Sequence, residues 1–205
     1  MTIKIGILGS PGSGKTVLAA RLYAELLERG VYGTRLVTEY AHEYLGQGNK
    51  LDTMHAQQEV TDKQLHREIT AEESNFNPII CDSCLWIAGI YLNYRLDTQG
   101  FSNAERDMFE PHYTEQDYLK QKDEYIERLD KICDYDYTIY VPLFDKTDKS
   151  NTFRLHDGNQ SYELDLRMKE KLKQFDNVRR APKKLSDREY FIKLIASEIE
   201  EKLLE

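Results

Sequence analysis

Gly9-Ser10-Pro11-Gly12-Ser13-Gly14-Lys15-Thr16 satisfies the pattern G-x-x-x-x-G-K-[ST] at every position. It stands between a short apolar run and a helical repeat, the context in which the pattern has a mechanism. Glycines let consecutive backbone N–H groups converge on phosphate oxygens, and the helix that follows adds the partial positive charge of its N-terminus. Gly12, Ser13 and Gly14 are therefore the candidate phosphate cradle. Lys15 is the side chain that would neutralise β- and γ-phosphates, and Thr16 the hydroxyl that would ligate Mg²⁺. An ordinary Gly-rich turn is the bland alternative.

Two carboxylates are placed to work with such a site. Asn77-Pro78-Ile79-Ile80-Cys81-Asp82 reads as a strand with its acid at the C-terminal end, so Asp82 is the candidate magnesium carboxylate, a helix N-cap being its alternative. In a hydrolytic ATPase of the ring-forming kind a glutamate normally follows that aspartate to polarise water. Here Ser83 follows, which disfavours hydrolysis as an end in itself. Thr34–Tyr40 reads as a second strand, and ligands gather at the carboxyl ends of strands in open α/β sheets, which nominates Glu39 as the group that accepts the proton of an attacking hydroxyl. His42 and Glu43 on the next turn are secondary substrate candidates, with solvated side chains as the alternative.

Cysteine and histidine carry less. Cys81, Cys84 and Cys133 are too few for a disulfide framework or a four-Cys zinc site. Cys81-Asp82-Ser83-Cys84 has C-x-x-C spacing, but the phosphate-site reading claims Asp82. The five histidines show no metal-ligand spacing, so no transition-metal site is predicted.

These residues need a frame to hold them. Ile3–Leu8 is a short apolar run of the kind found in strands buried on both faces. Leu18, Leu22 and Leu26 recur at spacing four in a helix over 15–29, with Gly30 as its stop. Helices are predicted over about 53–73 and 85–96, then a short and a longer one within 103–132, where Ser102 with Glu105 and Thr114 with Asp117 resemble N-cap pairs. Asp136–Leu143 and Asn177–Arg180 are the fourth and fifth strands. Leu164, Met168, Leu172 and Phe175 mark an amphipathic helix between them. Ser186 with Glu189 has the signature of a capping box opening the last helix, with Phe191, Ile192, Ile195, Ile199 and Leu203 on its buried side. Strands alternating with helices predict an α/β fold: a three-layer α/β/α sandwich around a parallel sheet of about five strands.

The chain has 205 residues, 40% hydrophobic and 31% charged, which excludes a low-hydrophobicity disordered chain and predicts a single domain. Its net charge of −8 is unpromising for an electrostatic DNA binder. The deficit is uneven: residues 145–205 hold 14 basic and 13 acidic side chains, so the C-terminal third tolerates an anionic ligand best. No apolar run approaches the roughly 20 residues that span a bilayer. The N-terminus reads as a first strand in a cytoplasmic protein, not as a cleaved leader.

The P-loop, the string Glu39-Tyr40-Ala41-x-Glu43-Tyr44, the strand-end Asp82 and the spacing to the last helix together resemble the ribosylnicotinamide-kinase-like group of small P-loop kinases, a P-loop group common in bacteria and bacteriophages. That family usually has Arg where this chain has His42, and Thr where it has Ser83. The resemblance implies a single kinase-like domain over 1–205, with a helical insertion at about 98–132. It also implies an arginine-bearing lid at about 145–161, offering Lys146, Lys149 and above all Arg154, with Arg167 on the next helix. Guanidinium groups from a closing lid would stabilise the charge of phosphoryl transfer, and a solvated charged loop is the alternative. Arg179-Arg180-Ala181-Pro182-Lys183-Lys184 stands where related kinases wrap the adenine, which makes Arg180 a nucleotide candidate; a polynucleotide-binding patch is the other reading.

Three functions follow. The first is Mg·ATP-dependent phosphorylation of a hydroxyl on a nucleoside or nucleotide-like small molecule. The second moves the acceptor hydroxyl onto a modified base in DNA. The third is a non-catalytic nucleotide-binding switch.

Overall fold

Ile3, Ile5 and Ile7 alternate with Lys4, Gly6 and Leu8 along the first strand, and that alternation sorts the two faces of the sheet it centres. The computed structural model describes residues 2–107, 109, 113–143 and 158–204. They form two compact units: Met1–Thr38 with Arg67–Cys84 and Tyr135–Glu205, and Glu39–His66 with Leu85–Asp134.

The first unit holds β1 (Lys4–Leu8), α1 (Lys15–Glu28), β2 (Arg35–Val37), β3 (Ile79–Asp82), β4 (Tyr137–Tyr140), α7 (Gly158–Leu172), β5 (Val178–Arg180) and α8 (Leu185–Leu203). All five strands are parallel, in the order β2-β3-β1-β4-β5. Ile5 and Ile7 join Leu18, Leu22 and Leu26 of α1 and Ile192, Ile195 and Ile199 of α8 in one apolar core. The helix spacing read from the sequence thus identifies the buried faces of α1 and α8 correctly. Gly30, at φ +87°, lets the chain reverse: its N–H donates to the Leu27 carbonyl, and that of Val31 to Leu26, the paired bonds of a glycine helix stop.

The opposite face of the sheet is more polar. Lys4 pairs there with Glu68 at 2.9 Å and Glu72 at 3.0 Å, and the Tyr135 hydroxyl donates to Glu68. Tyr140 donates to Asp165 of α7 at 2.6 Å, and Lys169 pairs with the same carboxylate at 2.7 Å. Helix-covered faces on both sides make this the three-layer α/β/α sandwich predicted from the alternation of elements.

The second unit contains α2 (Tyr40–Gly46), α4 (Ile87–Gln99), α5 (Asn103–Arg106) and α6 (Glu115–Ile132). The helix α3 (Met54–Glu73) begins in this unit and ends in the first. Both predicted N-cap pairs are complete capping boxes, Ser102 with Glu105 and Thr114 with Asp117. Glu105 also accepts from the Met54 N–H at 3.0 Å, from the Arg95 guanidinium and from the Tyr118 hydroxyl, so one carboxylate joins four helices.

Local readings fail in several places, the fourth strand among them, which spans only Tyr137–Tyr140. The predicted box of Ser186 and Glu189 does not form: α8 starts at Leu185 with Lys184 as N-cap, and Ser186, already inside the first turn, donates to Asp187 instead. The second strand stops at Val37, because its ladder with β3 ends at the Val37–Cys81 pair. Helix α4 starts at Ile87 with Trp86 as N-cap, so Asp82 caps no helix. Phe175 lies beyond the end of α7. The predicted lid falls outside the described residues up to position 157, and 158–161 are the first turn of α7.

Candidate active site

The phosphate loop is built by close approach. A Cβ on Gly9 would stand 2.3 Å from the Ser13 Oγ and 2.7 Å from the Val141 carbonyl oxygen, so only glycine fits where the chain leaves β1. Gly12 and Gly14 adopt φ of +80° and +84°, the left-handed region that glycine enters freely. The Ser13 N–H closes the turn on the Ser10 carbonyl at 3.1 Å. Helix α1 then starts at Lys15 with Gly14 as N-cap and no side chain capping it. An N-terminus left uncapped by its own sequence keeps N–H donors available for an anion.

Two further observations fit the loop to phosphate. The Oγ atoms of Ser10 and Ser13 are buried and have no hydrogen-bond partner, which costs free energy unless a ligand or water supplies one. The Thr16 side chain is exposed at the second helical position, and Lys15 is partly exposed just before it.

Asp82 is nearly excluded from solvent and pairs in register with Ile7 on the neighbouring strand, so it ends β3 beside the strand that feeds the loop. The turn after it is strained: Ser83 takes φ +94°, its N–H donates to the Ile7 carbonyl at 3.2 Å, and its Oγ is another buried hydroxyl without a partner. Non-glycine residues held at positive φ cluster at functional sites. Thr16 and Asp82 carry oxygen donors, the ligand type Mg²⁺ accepts while keeping several waters.

Arg180 ends β5 in register with Tyr140, exposed, with its guanidinium over the Tyr140 ring at 5.8 Å. Arg179, by contrast, is engaged by Glu198 at 3.1 Å, which thins the basic patch of this segment. Arg167 occupies a partly buried position on α7. Arg154, Lys146 and Lys149 lie outside the described residues.

Glu39, His42 and Glu43 belong to the second unit. Glu39 is the N-cap position of α2, partly exposed, while His42 and Glu43 are exposed on that helix. On α4, burial, and then the Glu39 carboxylate, push the Tyr91 hydroxyl above its ordinary pKa. The Tyr40 N–H donates to Oε1 of buried Gln64 at 2.8 Å, leaving its Nε2 without a partner. Sequence reasoning missed Tyr91 and Gln64. Helical spacing alone marks Tyr91 as core, and one Gln among several in a polar helix carries no signal.

The C-x-x-C spacing carries no redox chemistry of the usual kind. Both cysteines are buried, and burial together with Glu68 pushes Cys81 well above the ordinary value, the reverse of an activated thiolate.

Buried Arg188 of α8 is the main residue the sequence did not reveal. Its Nη1 donates to the Ser13 carbonyl at 2.9 Å, its Nε to that of Pro182 at 2.9 Å and its Nη2 to that of Pro142 at 3.4 Å. Burial pulls its pKa below the ordinary value, the cost of enclosing a cation.

Comparison with solved structures gives the same architecture. Deoxyadenosine kinase from M. mycoides with dCMP and dCDP bound aligns over 97% of this chain and all of its own, at 19% identity and a TM-score of 0.63. Thymidylate kinase from Ehrlichia chaffeensis aligns over 97% of this chain and 98% of its own, at 15% identity and a TM-score of 0.60. NadR in complex with NAD and AMP-PNP aligns over 96% of this chain at 14% identity and a TM-score of 0.57, and the chain spans about half of NadR, 49%. These likenesses establish a shared P-loop kinase fold. No curated protein sequence matches. A family described as an AAA domain matches residues 4–180, a stretch that runs from the first strand through the phosphate loop to the end of the fifth, and the chain belongs to that family.

Proposed function

We propose that this protein is a Mg²⁺-dependent kinase that transfers the γ-phosphoryl group of ATP to a hydroxyl of a nucleoside or nucleotide-like small molecule, ribosylnicotinamide being one candidate. The observation that carries this reading is the phosphate loop: left-handed Gly12 and Gly14, an uncapped helix start at Lys15 and two partnerless serine hydroxyls form a polar cradle. The shared fold with nucleoside and nucleotide kinases supports transfer to an acceptor over hydrolysis, as does Ser83 in place of a water-polarising glutamate.

In this mechanism the loop N–H groups and Lys15 hold the β- and γ-phosphates. Thr16 and Asp82 are the residues that would hold Mg²⁺, which supplies neutralisation of the charge on those phosphates. Glu39 is the group that would accept the proton of the acceptor hydroxyl. The acceptor oxygen bonds to the γ-phosphorus as the bond from that phosphorus to the bridging oxygen breaks. ADP leaves with that electron pair, and the proton resides on Glu39. The charge on the equatorial oxygens falls to Lys15 and the preorganised backbone donors, which need no reorganisation.

The test is mass-spectrometric detection of phosphorylated product from a pool of nucleosides, nucleotides and modified-base oligonucleotides incubated with the protein and Mg·ATP. A phosphorylated nucleoside or nucleotide is expected. Product only on the oligonucleotide would move the acceptor to DNA. Nucleotide binding without any product would replace the kinase with a switch.

A further inference from the structure

Arg188 lies 175 residues from Ser13, yet the residue is 3% exposed and its guanidinium is bonded to the phosphate loop. The three carbonyls it holds belong to three separate segments. Ser13 is in the loop after β1, Pro142 follows β4 and Pro182 follows β5. Those segments are already brought level by the sheet, since Val141 N–H donates to Leu8 at 2.7 Å and Ala181 N–H to Tyr140 at 2.8 Å.

The bond to Ser13 has a directional consequence. The Ser13 carbonyl and the Gly14 N–H belong to one planar trans peptide, in which C=O and N–H point in opposite directions. Holding that oxygen on one side of the loop fixes the Gly14 N–H on the other. Gly14, at φ +84°, would otherwise be the freest hinge of the loop. A cationic donor on the carbonyl also polarises the peptide and makes its N–H a stronger donor. We propose that Arg188 is a positioning residue for the nucleotide: from behind the loop it aims the Gly14 N–H at a bound phosphate and ties that peptide to the ends of β4 and β5. This rests on the phosphoryl-transfer reading above.

Only a planar fork with several N–H groups reaches three carbonyls at once. Lysine keeps the charge but offers a single nitrogen, so Arg188→Lys separates geometry from charge. Arg188→Gln, which keeps a polar head without the charge, is the second variant should the first fold poorly. Two readouts are needed: ATP and ADP affinity by calorimetry without acceptor, and the Gly14 amide resonance in the free protein. Acceptor KM is measured alongside.

The expected result is a loss of about tenfold or more in ATP and ADP affinity in Arg188→Lys, the scale of a hydrogen bond to a charged group. Acceptor KM stays unchanged, and the Gly14 amide resonance moves while those of α6 stay in place. Wild-type affinity for ATP in both variants would overturn the proposal. So would equal losses for nucleotide and acceptor, which mark a merely structural role. If the unmodified protein binds neither ATP nor ADP, the phosphoryl-transfer reading itself falls and takes this one with it; if it binds and the variants bind equally, only the role of Arg188 falls.

Discussion

Arg95 and Glu105 meet inside the second unit as a bidentate ion pair, Nη1 to Oε2 at 2.8 Å and Nη2 to Oε1 at 2.6 Å, with both side chains almost wholly out of water. Removing one partner strands the other as a buried charge. Glu105→Ala is therefore expected to cost about 3–5 kcal/mol of stability in urea unfolding. Burial alone would raise the Glu105 carboxyl pKa, but the bonds from Arg95, Tyr118 and Ser102 outweigh it and hold the value below the ordinary one. A depressed carboxylate contributes its stability fully above the unfolded pKa of about 4.3 and loses it as pH falls through the lower folded value. The stability gap between the unmodified protein and Glu105→Gln should close on acidification through that window. A gap that is constant with pH would show that the charge of Glu105 does not matter.

Gly9→Ala tests the cradle by crowding it. The added methyl meets a backbone oxygen, Val141, which cannot turn away as a side chain can. Overpacking of this kind costs about 1–3 kcal/mol. We expect a lowered melting temperature together with weakened ATP affinity, measured by thermal denaturation and calorimetry. Unchanged ATP binding would mean that the loop geometry is not what holds phosphate.

Lys15→Ala should lower phosphoryl transfer by roughly a hundredfold or more, as the loss of a preorganised charge-stabilising donor does. Circular dichroism should show the fold retained, since Lys15 is partly exposed at a helix start. Full activity in the folded variant would remove the phosphate-loop assignment. Thr16→Ala should raise the Mg²⁺ concentration needed for half-maximal rate, and an identical titration would deny it a ligand role.

The two acids should separate kinetically. Glu39→Gln is expected to cost about 10²–10⁴ in kcat as a lost general base, with ATP affinity retained. Asp82→Asn should instead shift the Mg²⁺ dependence. Rapid-quench transfer rates across a Mg²⁺ series distinguish the two, and normal transfer by Glu39→Gln would end its assignment as base.

What the sequence determines by itself is local. The phosphate loop depends on contiguous residues whose spacing is the mechanism, and the strand and helix that flank it show as a hydrophobic run and a repeat of four. Buried positions on α1 and α8, both capping boxes around α5 and α6 and the parallel α/β class are consequences of the same short-range periodicities. The capping signature at Ser186 does not form because it is a pattern of two residues only: the helix starts one residue earlier, with Lys184 as N-cap.

Only the tertiary structure decided the rest. Strand order β2-β3-β1-β4-β5 is a choice among long-range pairings, and it alone puts Asp82 beside the strand that feeds the loop. Arg188 with Ser13 and Gln64 with Tyr40 are couplings between residues far apart in the chain, with no periodicity to announce them. The residue types that can hold phosphate are a property of one short segment; which distant side chains fix their direction depends on how the sheet sets the ends of its strands side by side.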